Sequence, residues 1–484
     1  MKKLQNIIVN ISSKSILGSV DVIVDALTFD SRAVKNATLF VAIKGTEVDG
    51  HQYIQKAIDL GASVIVCEDL PNQLNEDVTY IEVENSNEAL AHLASNFYDN
   101  PSSKLKLVGV TGTNGKTTIA SLLYNLFMQA GFQVGLLSTV KVMIGSETFA
   151  ATHTTPDSIA INKYLSQMVE AGCQFCFMEV SSHGIAQKRT EALAFDGGIF
   201  TNLSHDHLDY HKTFAEYRDV KKSFFDQLDK NAFAITNADD KNGEFMLQNC
   251  KAKKQSYGLK NVADIHGQVL ESQISGMLMR IQNSEIWVQL IGSFNASNLL
   301  AVYATAINLG LSEEEVLVQL STLKSVSGRF QYVISEDKIT AIVDYAHTPD
   351  ALENVLKTIE EIRTRNEQLI TVVGCGGNRD KTKRPEMGQI ASEMSNQVIF
   401  TSDNPRNEDP MVILSEIEAG VEAHNVRKVL TIEDRAQAIK TACKLAKPGD
   451  IILIAGKGHE DYQEIKGVKH HFDDFELVQQ YLKA

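Results

Sequence analysis

The residues best suited to chemistry lie between Leu107 and Thr118. There an apolar run passes through Gly112-Thr113-Asn114-Gly115-Lys116-Thr117-Thr118 into a helical pattern at Ile119, Leu122, Leu123 and Leu126. A buried strand, a glycine turn and a helix start together make an anion cradle. Gly112 and Gly115 let backbone N–H groups close round a phosphate, and the helix N-terminus adds partial positive charge. Lys116 can reach the terminal phosphates of a nucleotide, and the Thr117 hydroxyl can ligate Mg²⁺. The usual P-loop spacing fails by one residue, because its first glycine would fall at Val110. The plain alternative is a glycine turn with an adventitious Lys-Thr.

A second concentration is Ser204-His205-Asp206-His207-Leu208-Asp209-Tyr210-His211, three histidines within seven residues. Zinc and magnesium both suit it on residue type. No cysteine accompanies the histidines and the acids are hard oxygen ligands, so Mg²⁺ is preferred. A loop of hydrogen-bonding histidines is the bland reading. Glu179, Ser181, Ser182 and His183 end another apolar run, Phe175–Val180.

Further on, Asp344 leads into Tyr345–Asp350. Three polar loops follow three apolar strands: Gly374–Lys381, Asp403–Arg406 and Gly456–Glu460. Such loops line one crevice at the strand ends of an α/β sheet. Gly374-Cys375-Gly376-Gly377 resembles a dinucleotide-binding turn only loosely. Lys381, Lys383 and Arg384 are expected to supply local positive charge, and Arg329 is free for a phosphate. Asn295 and Asn298 can contact a base or cap a helix. Asp30-Ser31-Arg32 suits a phosphate or nucleotide as well as an ordinary turn. On spacing alone Lys221 and Lys222 read as a solvated helix face.

The elements that must position these residues follow from periodicity. Strands are expected at Val22–Phe29, Thr38–Lys44, Ala62–Cys67 and Val78–Val83, with a helix at Asn87–Tyr98 and a linker at Tyr98–Ser103. From Leu105 strands and helices alternate as in a parallel α/β sheet. The expected order is strand Gln133–Thr139, helix Ser158–Ala171, strand Ile199–Leu203 and a helix opened by Ile291–Asn298. A third segment begins near Phe330. It has strands at Ala341–Asp344, Leu369–Val373, Gln397–Thr401 and Asp450–Ala455, and a helix at Ala351–Arg363.

The chain has 484 residues, which predicts several domains. It is 43% hydrophobic and 22% charged, the balance of a soluble globular protein, and its net charge of -15 argues against general nucleic-acid binding. No run is long and apolar enough to span a bilayer and no secretory signal is evident, so a cytoplasmic location is expected. Six dispersed cysteines do not make a disulfide framework. Cys173 and Cys176 read as buried thiols in an apolar run, with a redox pair as the alternative.

Gly112–Thr118, Met178–Gly184, Thr201–His211, Asp344–Asp350 and Asp403–Arg406 resemble, in sequence and order, the motifs of the Mur ligases, and among them the branch that adds the third peptide residue to the cell-wall precursor. The likeness runs over essentially the whole chain. It implies an α/β protein of three domains. Residues 1–102 would form a small N-terminal α/β domain for UDP. Residues 103–330 would form a central P-loop ATPase with a mostly parallel sheet, and 331–484 a C-terminal Rossmann-like domain for the incoming amino acid.

The resemblance also implies roles. Lys116, Glu179, His207 and Lys221 would be catalytic. Gly112, Thr113, Asn114, Gly115, Lys116, Thr117, Thr118, Asn295, Asn298, Arg329 and Asp344 would hold ATP. Thr117, Glu179 and His207 would ligate Mg²⁺, with Lys221 carried as a carbamate that ligates or anchors a second Mg²⁺. Ser31 would touch the UDP part, and Thr154, Thr155, Ser181, Gln187 and Arg189 the muramoyl-dipeptide. The acid would be UDP-N-acetylmuramoyl-L-alanyl-D-glutamate and the protein a monomer. Arg379, Asp403, Asn404, Pro405, Arg406, Gly456 and Glu460 resemble a meso-diaminopimelate site. Arg406 is the residue type to grip that molecule's far carboxylate as a bidentate fork, and Glu460 can answer the ammonium beside it. A lysine-adding ligase, a folylpolyglutamate-synthetase-like ligase and a nucleotide switch without ligase activity are the alternatives. The N-terminal domain and the Asp403–Arg406 loop do not fit the folate enzyme.

Overall fold

The computed structural model describes residues 1–45, 48–204, 210–364 and 366–482. Among the described residues three main sheets follow one another along the chain, with two separate two-stranded pairs beside them. The first has five strands, Ser13–Leu17, Ala26–Thr28, Thr38–Val41, Ala62–Cys67 and Thr79–Val83. All its pairs are parallel except the edge strand Ser13–Leu17, which runs antiparallel to Thr79–Val83. The expected strand Val22–Phe29 is divided in two: Ile23–Val24 pairs with Lys2–Lys3, and only Ala26–Thr28 joins the sheet. The expected linker Tyr98–Ser103 is no free tether. Asn100 adopts a left-handed conformation (φ +50°), Pro101–Lys104 form a 3₁₀ turn, and the buried Ser102 hydroxyl accepts from Ala194 N at 3.0 Å.

The second sheet has eleven strands between Lys106 and Val288. Its middle is parallel and carries the site. Lys106–Thr111 lies between Phe175–Glu179 and Gly197–Phe200, with Val134–Leu137 beyond the first and Phe233–Asn237 beyond the second. Both margins turn antiparallel, through the hairpin Lys141–Ile144/Glu147–Ala150 and the meander Ile265–Gln273, Gly276–Ile281, Ser284–Val288.

Two glycines explain one feature of this sheet. A Cβ on Gly109 would stand 2.7 Å from Phe224 Cζ, and one on Gly198 2.9 Å from Phe224 Cε1. Their absence lets the helix Phe214–Asp226 settle onto two adjacent strands. Lys221, one turn before Phe225, is thereby carried in to the glycine turn. Lys221 and Lys222 are 1% and 6% exposed, so the solvated-face reading is wrong: the helix packs on this side. Lys222 pairs with Asp226 at 2.7 Å.

The third sheet has six strands in the order Gln331–Ile334, Thr340–Asp344, Ile451–Ala455, Leu369–Val373, Gln397–Phe400, Val429–Thr431, all parallel but the first. From Leu369–Val373 the chain steps outward twice and then returns to lay Ile451–Ala455 on the other side. That reversal of strand order is where open α/β sheets leave a crevice. All six cysteines are buried and free, as expected for buried thiols rather than a disulfide framework. No helix among the described residues is long and apolar enough to cross a membrane.

Candidate active site

A cleft of about 1510 Å³ lies between the second and third sheets, with the glycine turn on one wall and the loops of the third sheet on the other. The turn is held by its neighbour strand. Thr113 N donates to Asn202 O at 2.8 Å, Asn114 N to Asn202 Oδ1 at 2.9 Å, and the Thr201 hydroxyl to Asn114 O at 2.6 Å. Gly112 sits at φ +147°, where a Cβ would collide with the Thr201 hydroxyl. At Gly115 (φ +90°) a Cβ would lie 2.8 Å from Asn298 Oδ1. The buried asparagines behind the turn serve each other: Asn298 Nδ2 donates to Asn295 Oδ1 at 3.2 Å, and Asn295 Nδ2 to Ile291 O at 2.9 Å. Thr118 is buried in the first helical turn.

Lys116 folds back across its own turn, its Nζ donating to Gly112 O at 2.9 Å and Thr113 O at 2.8 Å. Lys221 Nζ donates to the same Gly112 oxygen at 2.9 Å, so the two amines stand at most about 5.8 Å apart. Lys221 also lies over the Tyr217 ring, whose hydroxyl is 3.1 Å from Thr113 Oγ1.

Glu179 is completely buried. Its carboxylate accepts from Thr139 N at 2.7 Å and the Thr139 hydroxyl at 3.2 Å, and no basic side chain pairs with it among the described residues. A buried carboxylate without a counter-charge fits a divalent cation. The Thr117 hydroxyl lies on the same cleft and is 3.2 Å from Arg329 Nη2. His207 lies outside the described residues. No group of three acidic, histidine or cysteine ligands occurs among those described.

On the adjoining stretch of wall the Thr155 hydroxyl donates to Glu179 O and accepts from Ser181 N, both at 2.9 Å. Ser181 caps the short helix Ser182–Ala186. Arg189 donates to Thr155 O at 2.6 Å and to Gln187 Oε1 at 2.6 and 3.0 Å; Thr154 accepts from the Thr139 hydroxyl at 3.1 Å. All of these face the cleft. Ser31 does not: it is buried in the first part of the chain, where Arg32 turns back onto Asp30 in a fork.

The opposite wall is a dense polar network. Asn404 Nδ2 donates to Glu460 Oε2 at 2.7 Å, and fully buried Lys457 donates to Glu460 Oε2 at 3.2 Å and Asn404 Oδ1 at 3.3 Å. Burial, then the nearby Asp403 charge, raises the Glu460 carboxyl above its usual range. Gly456, at φ +115°, leaves room for Asp403 Oδ2, which would lie 2.7 Å from a Cβ there. Pro405 is buried. Arg406 is left-handed (φ +52°), its N donating to Glu464 O at 3.0 Å and its carbonyl accepting from Lys466 N at 2.7 Å. Its guanidinium faces the cleft, with Nη1 donating to Gly377 O at 2.8 Å and Nε 3.5 Å from Glu464 Oε2. Arg379 stands exposed on the same wall.

The expected basic trio divides. Arg384 is fully buried and pairs with Glu408 and Glu416, and Lys381 also pairs with Glu408. Arg384, followed by burial in the opposite sense, leaves Glu408 at about 2. That charge is neutralised within the fold and only Lys383 lines the cleft, its Nζ donating to His347 O at 2.9 Å.

The walls touch. Asn114 Nδ2 donates to Asp350 Oδ2 at 3.0 Å, and the Arg329 guanidinium lies 4.6 Å over the Tyr345 ring. Asp344 accepts from Phe330 N at 2.6 Å; burial raises it to about 6, against the pull of Arg329. His459, 4.9 Å from Tyr345 ring to ring, is lowered to about 3 by burial and then by Arg329, so it is neutral. Tyr345, Lys457 and His459 were missed as single residues, although each stands inside a loop the sequence marks.

Three consecutive sheets with a phosphate-type turn facing a Rossmann-like wall define the class of protein. The descriptions that match are "Mur ligase family, catalytic domain" over residues 24–98, "Mur ligase middle domain" over 110–306 and "Mur ligase, glutamate ligase domain" over 328–458. A relative from Phocaeicola vulgatus is 56% identical over 98% of both chains, and one from Cytophaga hutchinsonii is 54% identical over 99% of both. Each is named UDP-N-acetylmuramoyl-L-alanyl-D-glutamate–2,6-diaminopimelate ligase. A solved structure of a ligase of that name superimposes with a TM-score of 0.71 at 31% identity, covering 100% of this chain and 99% of its own. The chain belongs to the Mur ligase family.

Proposed function

We propose that the protein is an ATP-dependent amide ligase that joins meso-2,6-diaminopimelate to the D-glutamate of UDP-N-acetylmuramoyl-L-alanyl-D-glutamate in peptidoglycan precursor synthesis. The observation that carries this reading is the cleft that brings both sets of groups together. It has a phosphate turn with two lysines on one wall, and on the other an arginine fork and a carboxylate matched to the far carboxylate of a diamino diacid and the ammonium beside it.

A carboxylate is a poor acyl donor. Phosphorylation by ATP converts it to an acyl phosphate, and attack by the amine forms the amide and expels phosphate. The chain's task is to gather crowded anions and hold the partners in line. Lys116 leaves its own carbonyls to meet the terminal phosphates. Arg329, Asp344, Asn295 and Asn298 shape the rest of the nucleotide site behind Gly112–Thr118. Thr117, Glu179 and His207 would hold Mg²⁺, which would neutralise phosphate charge. The closeness of the Lys221 and Lys116 amines supports Lys221 as a carbamate, which would relieve their repulsion and supply an oxygen anchor. Thr154, Thr155, Ser181, Gln187 and Arg189 would seat the dipeptide acid and Ser31 the UDP end. Arg406, Arg379, Asp403, Asn404, Pro405, Gly456 and Glu460 would seat the amino acid. A division at 1–102, 103–330 and 331–484 is supported by one main sheet in each part. Action as a cytoplasmic monomer belongs to the same proposal.

ADP release and product mass, measured with ATP, Mg²⁺, the muramoyl-dipeptide and either diaminopimelate or L-lysine, test the reading. Diaminopimelate is expected to be ligated faster, and Lys116→Ala to abolish both signals. Faster turnover with lysine would overturn the acceptor, and no ATP consumption with either would overturn the ligase.

A further inference from the structure

Below the amino-acid wall lies an ion pair that the reaction itself does not use. Arg435 Nε donates to Asp474 Oδ1 at 2.8 Å and Nη2 to Asp474 Oδ2 at 2.7 Å, with both side chains fully buried. The same Nη2 donates to Ala455 O at 3.1 Å, and Nη1 makes a longer contact of 3.5 Å to Ser402 O. Those two carbonyls belong to the residues immediately before Gly456 and Asp403. The Ser402 junction is held from its other side as well, Ser402 N donating to Glu433 O at 3.1 Å. Arg435 opens the helix Arg435–Leu445 and Asp474 opens the last helix, Asp474–Leu482. One guanidinium therefore ties two helix starts to two strand ends whose next residues, Gly456 and Asp403, line the cleft.

Stability alone does not account for such a pair. Desolvating two charges costs about what their attraction returns, and well-packed apolar side chains serve a core as well or better. Position is what distinguishes it: against burial, Asp474 holds the Arg435 proton more firmly, and Asp403 and Glu460 on the wall above add to that hold. The cation thus sits under buried negative charge that Lys457 also meets, through Glu460.

We propose that Arg435, oriented by Asp474, is a positioning residue for the incoming amino acid, fixing the strand ends that present Asp403 and Gly456 and balancing the carboxylates above it. This rests on the reading of that wall as the diamino-acid site. The fork matters because a lysine cannot grip a carboxylate at two points and two carbonyls at once.

The test uses the full-length protein with Asp474→Asn, Arg435→Lys and the apolar pair Arg435→Met with Asp474→Leu, which retains a filled core. In the apolar pair KM for diaminopimelate is expected to rise about tenfold or more, while KM for ATP and for the muramoyl-dipeptide stay within about twofold. Arg435→Lys should fall between wild type and that pair. Thermal unfolding with and without ATP reports which variants are folded. If folded variants keep the wild-type KM for the amino acid, or lose all three substrates in parallel, the positioning role is wrong. If every variant fails to fold, Arg435 is purely structural and the role is likewise wrong. Wild type assayed with diaminopimelate and with lysine keeps the two claims apart. Turnover with lysine alone would overturn the acceptor, and the Arg435 role would then be read from the lysine KM.

Discussion

Arg406 and Asp344 show how much a single side chain's surroundings decide. Arg406 faces the cleft from a left-handed backbone, and its guanidinium is steadied by Gly377 O with Glu464 nearby. A lysine there keeps the charge and loses the planar fork. Arg406→Lys is expected to lower kcat/KM for diaminopimelate about 10²-fold, and KM for ATP to hold, in steady-state assays of ADP release. Asp344 gives a pH signature. Its carboxyl rises from 3.8 to about 6 on burial, so the folded chain binds that proton more tightly than the unfolded chain. The resulting cost is absent at low pH, grows as pH rises through that window and is complete above it. Wild type should therefore gain stability relative to Asp344→Asn on going from about pH 7 to about pH 5. Thermal unfolding of both proteins across that range checks it, and a constant difference would count against the burial argument.

The elements matter through their ends. Strand after strand was legible from apolar runs bounded by turn residues: Ala62–Cys67 and Leu369–Val373 match their expected limits. The antiparallel margins of the central sheet were not. Ser284–Val288, for one, is half exposed and paired with a neighbour that the local pattern does not reveal. Gly456 is the element-scale test, standing where the strand Ile451–Ala455 gives way to its loop. Alanine there meets both a left-handed φ of +115° and the Asp403 carboxylate. Gly456→Ala is expected to raise KM for the amino acid about tenfold with little change in KM for ATP, because the displaced group lies on one wall only. Equal changes in both constants would contradict that assignment.

Across the molecule, the two walls are joined by few groups, and Arg329 is the most exacting of them. Its guanidinium donates to Thr117 beside the phosphate turn and lies over Tyr345 beside the amino-acid loops. Arg329→Lys is expected to cut kcat about tenfold or more while the unfolding temperature moves by only a few degrees, since the contacts to Thr117 and Tyr345 are weakened and the apolar cores of the three main sheets are untouched. Rate and melting measurements on the same preparation decide this; a large fall in melting temperature with kcat preserved would reverse the interpretation. The net charge of -15 has its counterpart here. Against it, Lys116, Arg189, Lys221, Arg329, Lys383 and Arg406 all face the cleft, whereas Lys381 and Arg384 are consumed by Glu408 and Glu416.

What the amino-acid order determined by itself was the list of chemically capable loops and the strands that end in them. Glycine turns, apolar runs and cap residues act over a few neighbours and leave a local trace. Only the tertiary structure decided that Lys221 is buried beside Lys116, that Arg384 turns away from the cleft, and that Arg435 and Asp474 meet beneath Asp403. These depend on which faces pack together across tens to hundreds of residues. No local pattern records the burial or counter-charge that such packing imposes.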